Sequence, residues 1–182
     1  REIADEYGLG VVEDACQAVF SENSQGFLGT QSDVGCFSLG MAKLIATGQG
    51  GVAVTRSKAT YEKLKLIRGH GVPDTFSATF DQLGLNFRFT DLLASIGLVQ
   101  LTRARDRIDH VCSVYQRYAS ALEHLPFIEL IPVKVSRGEV PLYVEVLCRE
   151  REKLMEFLDS QGVQTRPFLP DLHLSPHLNN NG

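Results

Sequence analysis

The feature that most constrains the fold is a strand–loop–strand unit that contains a single lysine. The apolar run from Val34 to Leu39 predicts a buried strand, and a second apolar run from Val52 to Thr55 predicts another. The connection between them reads GMAKLIATGQGG, and its glycines are typical of a tight loop. Lys43 is a long, strongly hydrated cation in that loop. It is therefore either a solvated surface charge or a group directed at a ligand.

The pattern around this unit alternates helices with short strands, as in α/β proteins. REIADEYG predicts a short helix ended by Gly8, and LGVVED predicts a buried strand that ends in Glu13 and Asp14. Ligands of α/β proteins gather at the carboxyl ends of strands, so Asp14 is a candidate functional residue. SENSQGFLGTQSD predicts a loop, and SKATYEKLKLIRGHG predicts an amphipathic helix capped by Ser57.

A long helical pattern without proline extends from Thr90 to about Glu123. This is long for a helix of a globular domain, and such helices often connect two domains. Beyond Pro126, VPLYVEVLC predicts a strand, REREKLMEFLDSQG predicts a helix ended by Gly162, and VQTRPF predicts an extended segment. The sequence therefore predicts two domains, residues 1–115 and residues 116–182, of which the second is a partial α+β domain.

Composition argues against several classes of protein. Lys and Arg number 18 against 22 Asp and Glu, for a net charge of −4 with both signs interspersed, so neither nucleic acid nor an anionic membrane is an expected partner. No apolar run reaches the length of a transmembrane helix. Cys16, Cys36, Cys112 and Cys148 lie far apart, and we expect them to be reduced core residues of a cytosolic protein, with no metal bound.

Three interpretations of Lys43 compete. The first is an exposed loop lysine. The second is a phosphate-binding loop, because four residues separate Gly35 from Gly40. That motif requires Gly-Lys followed by Ser or Thr, however, and Gly40 is followed by Met-Ala-Lys-Leu. The third is a lysine that forms a Schiff base with pyridoxal phosphate (PLP) and then moves protons as an acid and base.

The third interpretation requires partners for the cofactor, and suitable residue types lie nearby in the sequence. A carboxylate must keep the pyridine nitrogen protonated, and Asp14 lies at a predicted strand end. Ser38, five residues before Lys43, is a candidate phosphate donor, and Gln17, three residues after Asp14, is a candidate for the ring oxygen. Gln17 could instead cap a turn, and Ser38 could instead satisfy backbone groups at the strand end.

The blocks VVEDACQA, GTQSDVGCFSLGMAKLIATGQGGVAVT, RGHG and LGLNFRFTDLLASIGLVQL resemble consecutive blocks of the DegT/StrS family of sugar aminotransferases. The resemblance extends over residues 1–178 and keeps the order and spacing of the blocks. It implies an α/β PLP-dependent transferase of fold type I. The chain would contain part of the large domain, with a mixed sheet and flanking helices, and part of the small α+β domain. The chain begins with Arg1 rather than Met, and members of this family are roughly twice its length. We therefore interpret it as a fragment that lacks the N-terminal half.

The resemblance also implies a role for each matching residue. Lys43 would bind the cofactor covalently, Asp14 would pair with the pyridinium nitrogen, and Gln17 would contact the ring hydroxyl. Ser38 would bind the phosphate. Asn86 of LNFRFTD would reach the phosphate of the neighbouring subunit, because the active sites of the family form across a homodimer.

Two further residues are implied to contact substrates. Arg88 is a candidate for the carboxylate of glutamate or of the substrate, although it could instead form an ion pair with Asp91. His173 in RPFLPDLHLSPHL matches a position near the sugar pocket.

The implied activity is the transfer of an amino group from glutamate to a keto sugar linked to a nucleotide. The pathway would be the synthesis of polysaccharides or deoxyamino sugars in the cytoplasm. Two alternatives remain open. One is a truncated, catalytically silent chain that serves as an interaction module or is a remnant. The other is a PLP-dependent sugar dehydratase, although relatives of that kind carry a histidine in place of the lysine.

Overall fold

The computed structural model describes residues 1–74, 76, 79–169 and 172–178. The chain forms two compact units, one made of Arg1–Ala121 with Pro132–Val144 and one made of Leu122–Ile131 with Glu145–Gly182. The predicted division into domains after residue 115 stays a prediction.

The first unit contains a three-stranded sheet built around the predicted strand–loop–strand unit. Its outer strand β1 lies parallel to the central strand β4, and β4 is antiparallel to β5, so the predicted mixed sheet is confirmed. The segment predicted as a loop contains a short antiparallel hairpin of β2 and β3. The strands are β1 (Val12–Asp14), β2 (Glu22–Asn23), β3 (Gly26–Phe27), β4 (Val34–Ser38) and β5 (Gly51–Val54).

Four helices accompany this sheet: α1 (Glu2–Glu6), α2 (Lys58–Arg68), α3 (Asp91–Thr102) and α4 (Ala104–Leu122). Gly8 follows α1 with φ of 62°, a conformation that glycine adopts at little cost, as predicted. The predicted cap of α2 is confirmed, because Ser57 Oγ accepts a hydrogen bond from the Thr60 amide at 3.2 Å. Among the described residues, no helix has the length and apolarity needed to cross a membrane.

The prediction of one uninterrupted helix from Thr90 to Glu123 is wrong. The helical pattern is divided at Arg103, whose backbone has φ of −105° and ψ of 8°. One residue earlier, the Thr102 hydroxyl donates to the Val99 carbonyl at 2.8 Å. Hydrogen bonds of this kind compete with the helical backbone bonds and often bend a helix, which gives a physical reason for the break.

The second unit is smaller, and its described residues form one α-helix and one pair of strands. Strand β6 (Ile128–Leu130) pairs antiparallel with β7 (Val146–Cys148), and helix α5 (Arg151–Ser160) follows. The predicted strand VPLYVEVLC is therefore shorter than expected. Gly162, with φ of 75°, follows the C-cap of α5, where the sequence predicted the helix to end. Short 3-10 turns cover Val135–Arg137 in the first unit, and Leu172–Leu174 and Pro176–Leu178 in the second.

A close approach of two backbone segments fixes the position of β4 in the first unit. A Cβ atom at Gly35 would overlap the carbonyl oxygen of Gly29. Gly29 itself has φ of 81°, and a Cβ there would lie 2.8 Å from that of Ala15. Neither position has room for a side chain, so the two glycines allow the loop before β4 to lie directly against the strand.

The Glu13 carboxylate, on the neighbouring strand β1, binds the same loop. It accepts hydrogen bonds from the Gly29 amide at 2.8 Å, the Gln31 amide at 2.8 Å and the Ser32 hydroxyl at 2.9 Å. Burial acts to raise the pKa of Glu13, but these hydrogen bonds outweigh it and the pKa is lowered. Glu13 is thus an anion used for structure, beside the exposed Asp14.

Replacing Gly35→Ala is expected to destabilise the first unit by at least about 2 kcal/mol, because the new methyl group has no space against Gly29. The measurement is the free energy of unfolding in urea. Gly10→Ala is the matched control, since a Cβ at Gly10 meets nothing within 4 Å. Equal stability of the two variants would contradict the close approach.

Replacing Glu13→Gln is expected to lower the free energy of unfolding at pH 7 by about 1–3 kcal/mol, because hydrogen bonds to a charged acceptor are lost. The lowered pKa fixes the sign of the pH dependence. The stabilisation by Glu13 is complete above the unfolded-state pKa of about 4.3 and is lost as the pH falls through the folded-state value. The difference between the proteins should therefore shrink in acid. Glu6→Gln, at an exposed position, should show no such difference.

Candidate active site

The parallel pairing of β1 with β4 brings two predicted site residues to one edge of the sheet. Asp14, the last residue of β1, is in register with Cys36, and Ser38 lies two residues further along β4. Both strands therefore end at the same edge, which is where α/β proteins place their ligands.

Asp14 is exposed and its carboxylate is held by the residue two positions on. Asp14 Oδ1 accepts a hydrogen bond from the Cys16 amide at 3.0 Å. The side chain and amide of Cys16 lower the pKa of Asp14, burial acts weakly against them, and the positive charge of Lys43 lowers the pKa further. Lys43 is thus close enough to Asp14 to act on its charge, and the carboxylate is ionised at neutral pH.

Cys16 takes the opposite protonation state. Its hydrogen bond to Asp14, followed by burial and by the negative charge of Asp14, raises the pKa of the thiol to about 11. The Cys16 sulfur also lies 3.8 Å from the Cys36 carbonyl oxygen. The sequence offered a signal for this contact, since Cys16 follows Asp14 at the spacing of an Asx turn, but the residue was not predicted to belong to the site.

Lys43 lies in a compact turn that backbone hydrogen bonds define. The Lys43 amide donates to the Gly40 carbonyl at 3.0 Å, and the Thr47 amide donates back to Leu39 at 2.9 Å. Leu44, Ile45 and Thr47 are buried and Lys43 is half-buried. The loop is therefore anchored on the carboxyl side of the lysine by packed side chains.

Ser38 serves the backbone of the same loop. Its Oγ accepts a hydrogen bond from the Gly40 amide at 3.2 Å, which is the structural alternative that the sequence left open. Because this bond uses a lone pair of the oxygen, the Ser38 hydroxyl hydrogen remains a donor.

Gln17 is exposed in the turn that follows β1, a turn closed by the Ala18 amide and the Ala15 carbonyl at 3.0 Å. Within the described part of the chain, the Gln17 side chain makes no hydrogen bond.

Asn86 and Arg88 are not brought to this edge by contacts within the described chain. Both are exposed, and Asn86 forms an isolated bridge with Gly69 beyond the end of α2. The Phe87 amide donates to the Arg68 carbonyl at 3.0 Å and fixes the segment there. Neither Arg88 nor Asp91 takes part in any ion pair between described residues, so the structural alternative for Arg88 does not occur.

His173 lies in the 3-10 turn Leu172–Leu174 of the second unit, where it is exposed. In the ranges that the structure describes, no cluster of three His, Cys, Asp or Glu side chains has the arrangement of metal ligands.

Lys43 also lines a cleft of about 490 Å³ in the first unit. Sequence reasoning did not find it, although its residues on α4 recur at the spacing of one helix face. The lining residues are Ala42, Lys43, Leu44, Arg103, Asp106, Arg107, His110, Val111, Pro141 and Leu142.

The side chains present fit part of a PLP site. Lys43 supplies an amine that can bond an aldehyde carbon, and Asp14 is an ionised, accessible carboxylate within electrostatic reach of that amine. Ser38 supplies a hydroxyl donor at the same sheet edge. The amine, the carboxylate acceptor and the hydroxyl donor match the aldehyde, the protonated pyridine nitrogen and the phosphate of the cofactor, respectively.

Comparison with known proteins gives a consistent result. The sequence pattern of the DegT/DnrJ/EryC1/StrS aminotransferase family matches residues 1–182. GDP-perosamine synthase of Escherichia coli O157:H7 is 32% identical over 180 residues, which are 96% of this chain and 48% of that protein. A dTDP-3-amino-3,4,6-trideoxy-alpha-D-glucose transaminase of Streptomyces venezuelae is 30% identical over 97% of this chain and 46% of its own length. The chain thus spans about half the length of these relatives.

Solved structures share the fold. DesV of S. venezuelae, solved in complex with a ketimine intermediate, is 29% identical with a TM-score of 0.86 over 98% of this chain and 48% of its own. The predicted fold class, a PLP-dependent transferase of fold type I, is confirmed. An E. coli GDP-4-keto-6-deoxy-D-mannose-3-dehydratase with bound hydrated PLP is 24% identical with a TM-score of 0.76 over 91% of this chain and 48% of its own. That likeness concerns the fold alone.

Replacing Asp14→Asn is expected to lower the pKa of the Cys16 thiol from about 11 toward the ordinary value of about 8.5. The reason is that the carboxylate that disfavours the thiolate is removed. The measurement is the rate of alkylation of Cys16 between pH 8 and 11, with the site identified by peptide mass. Cys112 is the internal control, because burial, not Asp14, is the main cause of its raised pKa. An unchanged profile for Cys16 would contradict the contact.

Proposed function

The chain belongs to the DegT/DnrJ/EryC1/StrS aminotransferase family, and on that premise we propose that its protein is a PLP-dependent aminotransferase. The proposed reaction moves an amino group from glutamate to a keto sugar linked to a nucleotide, in the synthesis of polysaccharides or deoxyamino sugars. The observation that carries the proposal is the parallel pairing of β1 with β4, which places Asp14 and Ser38 at one sheet edge, where the turn that carries Lys43 begins.

Bound PLP supplies an electron sink that stabilises negative charge on the carbon next to the transferred nitrogen. The part of Lys43 is to bind the cofactor through Nζ and to take up and return a proton at that atom. The backbone hydrogen bonds of the turn from Gly40 to Thr47 fix the position of the Lys43 backbone, from which the side chain extends.

The part of Asp14 is to hold a proton on the pyridine nitrogen. A carboxylate can do this only while it is itself ionised, and the lowered pKa of Asp14 meets that condition. The hydrogen bond from the Cys16 amide orients Oδ1, so the carboxylate does not need to be ordered when the cofactor binds. Ser38 would donate its hydroxyl hydrogen to the phosphate, and Gln17 would contact the ring hydroxyl.

Relatives support the proposed substrate class. GDP-perosamine synthase and the dTDP-sugar transaminase are named for nucleotide-linked amino sugars, and each is at least 30% identical to this chain. Arg88 is exposed and makes no ion pair with Asp91, so its guanidinium is available for the carboxylate of glutamate or of the substrate. His173 is proposed to lie near the sugar.

A homodimer with shared active sites is part of the proposal. Helix α3 exposes large apolar side chains: Leu92 is 79% exposed and Leu98 is 66% exposed. Ile96, Val99 and Leu101 are also exposed. Apolar surfaces of this kind mark interaction sites. Asn86 shares the segment that leads into α3 and would reach the phosphate of the neighbouring subunit. The proposed location is the cytoplasm, where the four free cysteines would stay reduced.

Lys43 favours transamination over the dehydratase alternative, because the dehydratases of the family carry a histidine at this position. The silent alternative is tested by a spectral titration of this chain with PLP. A shifted absorbance in the near-ultraviolet would support binding, and unchanged absorbance at high PLP concentration would support the silent interpretation.

Treatment with PLP and then borohydride is expected to leave a pyridoxyl group on Lys43, because reduction makes the bond between the amine and the cofactor permanent. The measurement is peptide mass spectrometry. Lys43→Ala should abolish this modification and lower transamination by about 10²–10⁴-fold, the usual contribution of a positioned acid and base.

Lys65→Ala is the matched control, since Lys65 is a surface lysine of α2 that pairs with Glu62 at 3.2 Å. It should keep both the modification of Lys43 and the activity. Full transamination by Lys43→Ala would refute the assignment.

A further inference from the structure

The cleft beside Lys43 has a floor of apolar residues and a cationic rim. Pro141 and Leu44 are buried, and Leu142 and Val111 are half-buried. Charged residues of the lining come from the Lys43 loop and from one face of α4. Its volume of about 490 Å³ lies within the range of small-molecule pockets.

The spacing on α4 explains why its polar groups converge. Arg103 directly precedes α4, and Asp106, Arg107 and His110 follow it by three, four and seven positions, a spacing that brings the four residues to one side of the helix. Arg105 and Asp109 fall on another face and pair with each other at 3.4 Å in solvent. Only the first set lines the cleft.

The charges of the lining are not balanced. Lys43, Arg103 and Arg107 are cations, and Asp106 is the one carboxylate among the lining residues. None of these four takes part in an ion pair between described residues. A concave surface with an excess of positive charge attracts anions, and guanidinium groups bind phosphate and carboxylate through paired hydrogen bonds.

Arg107 has a structural contact as well. Its Nη1 donates to the Leu44 carbonyl at 3.1 Å and so fixes α4 against the loop of Lys43. A guanidinium has five N–H donors, so this bond leaves others available. Arg103 is exposed at the break between α3 and α4, and its side chain makes no hydrogen bond to a described residue. Its guanidinium has no structural contact of that kind.

We propose that this cleft binds a small dianion that carries phosphate or carboxylate groups, held by Arg103 and Arg107 and adjoining Lys43. The inference rests on the proposed function only for the choice of probes, because a nucleotide-linked sugar carries a diphosphate and the amino donor yields a dicarboxylate. The anion would lie against the loop that carries the reactive amine.

The experiment is calorimetric titration of the purified, PLP-free protein with pyrophosphate and, separately, with 2-oxoglutarate. At least one probe should bind with a Kd below about 1 mM. Arg103→Gln should weaken that binding about tenfold or more, as expected for a lost hydrogen bond between charged groups. Added NaCl should weaken it as well.

Arg105→Gln is the matched control, because it removes the same charge from another face of the same helix and should change the Kd less than twofold. Binding of pyrophosphate alone identifies the diphosphate class, and binding of 2-oxoglutarate alone identifies the dicarboxylate class. Failure of both probes to bind with a Kd below about 1 mM would overturn the proposal, as would equal weakening by Arg103→Gln and Arg105→Gln. Because PLP is absent, this result is independent of the modification of Lys43 by borohydride.

Discussion

The contact between Glu13, the loop before β4 and the glycines at positions 29 and 35 is the constraint on which the candidate site depends. The carboxylate binds two amides and one hydroxyl of the loop, and the backbone of that loop lies where no side chain fits. Together they fix the parallel register of β1 with β4. That register determines the positions of Asp14 and Ser38 at the sheet edge and the point at which the Lys43 loop begins. Of the two adjacent acids in β1, Glu13 is thus bonded to the loop, and Asp14 is exposed at the strand end.

The electrostatics of the site depend on the protonation states of two neighbouring residues, Asp14 and Cys16. Asp14 stays ionised because Cys16 donates to its carboxylate and the charge of Lys43 favours the ionised form, while the thiol of Cys16 stays neutral because the same carboxylate is its neighbour. Lys43 acts on both groups. A protein that must keep a permanent negative charge at an exposed strand end can do so in this way without burying an ion pair, which would cost desolvation energy.

Much of the fold could be predicted from the sequence where local pattern decides the structure. Strand β4 and the Ser57 cap depend on apolar runs and a single side chain, and both are found where they were expected. The break at Arg103 could not be predicted, since the apolar pattern continues across it without a proline. The cleft was missed for a different reason. Its two sides, Lys43 and Arg103, are distant in sequence, and only tertiary packing brings them together. The roles of Asp14 and Lys43 were predicted from their positions beside predicted strands and from the family resemblance, and the roles of Asn86 and His173 from the resemblance alone; these roles stay predictions.

Gly97 is the one buried residue of α3, and a Cβ there would lie 3.1 Å from Thr47 Cγ2. Thr47 in turn donates its hydroxyl to the Gln49 carbonyl at 2.7 Å and its amide to Leu39, so it closes the turn that carries Lys43. Helix α3, whose other side exposes apolar side chains, therefore lies next to the turn that carries Lys43, at the methyl group of Thr47. A partner that packed on that apolar side would therefore also restrict the movement of the turn and of the Lys43 side chain.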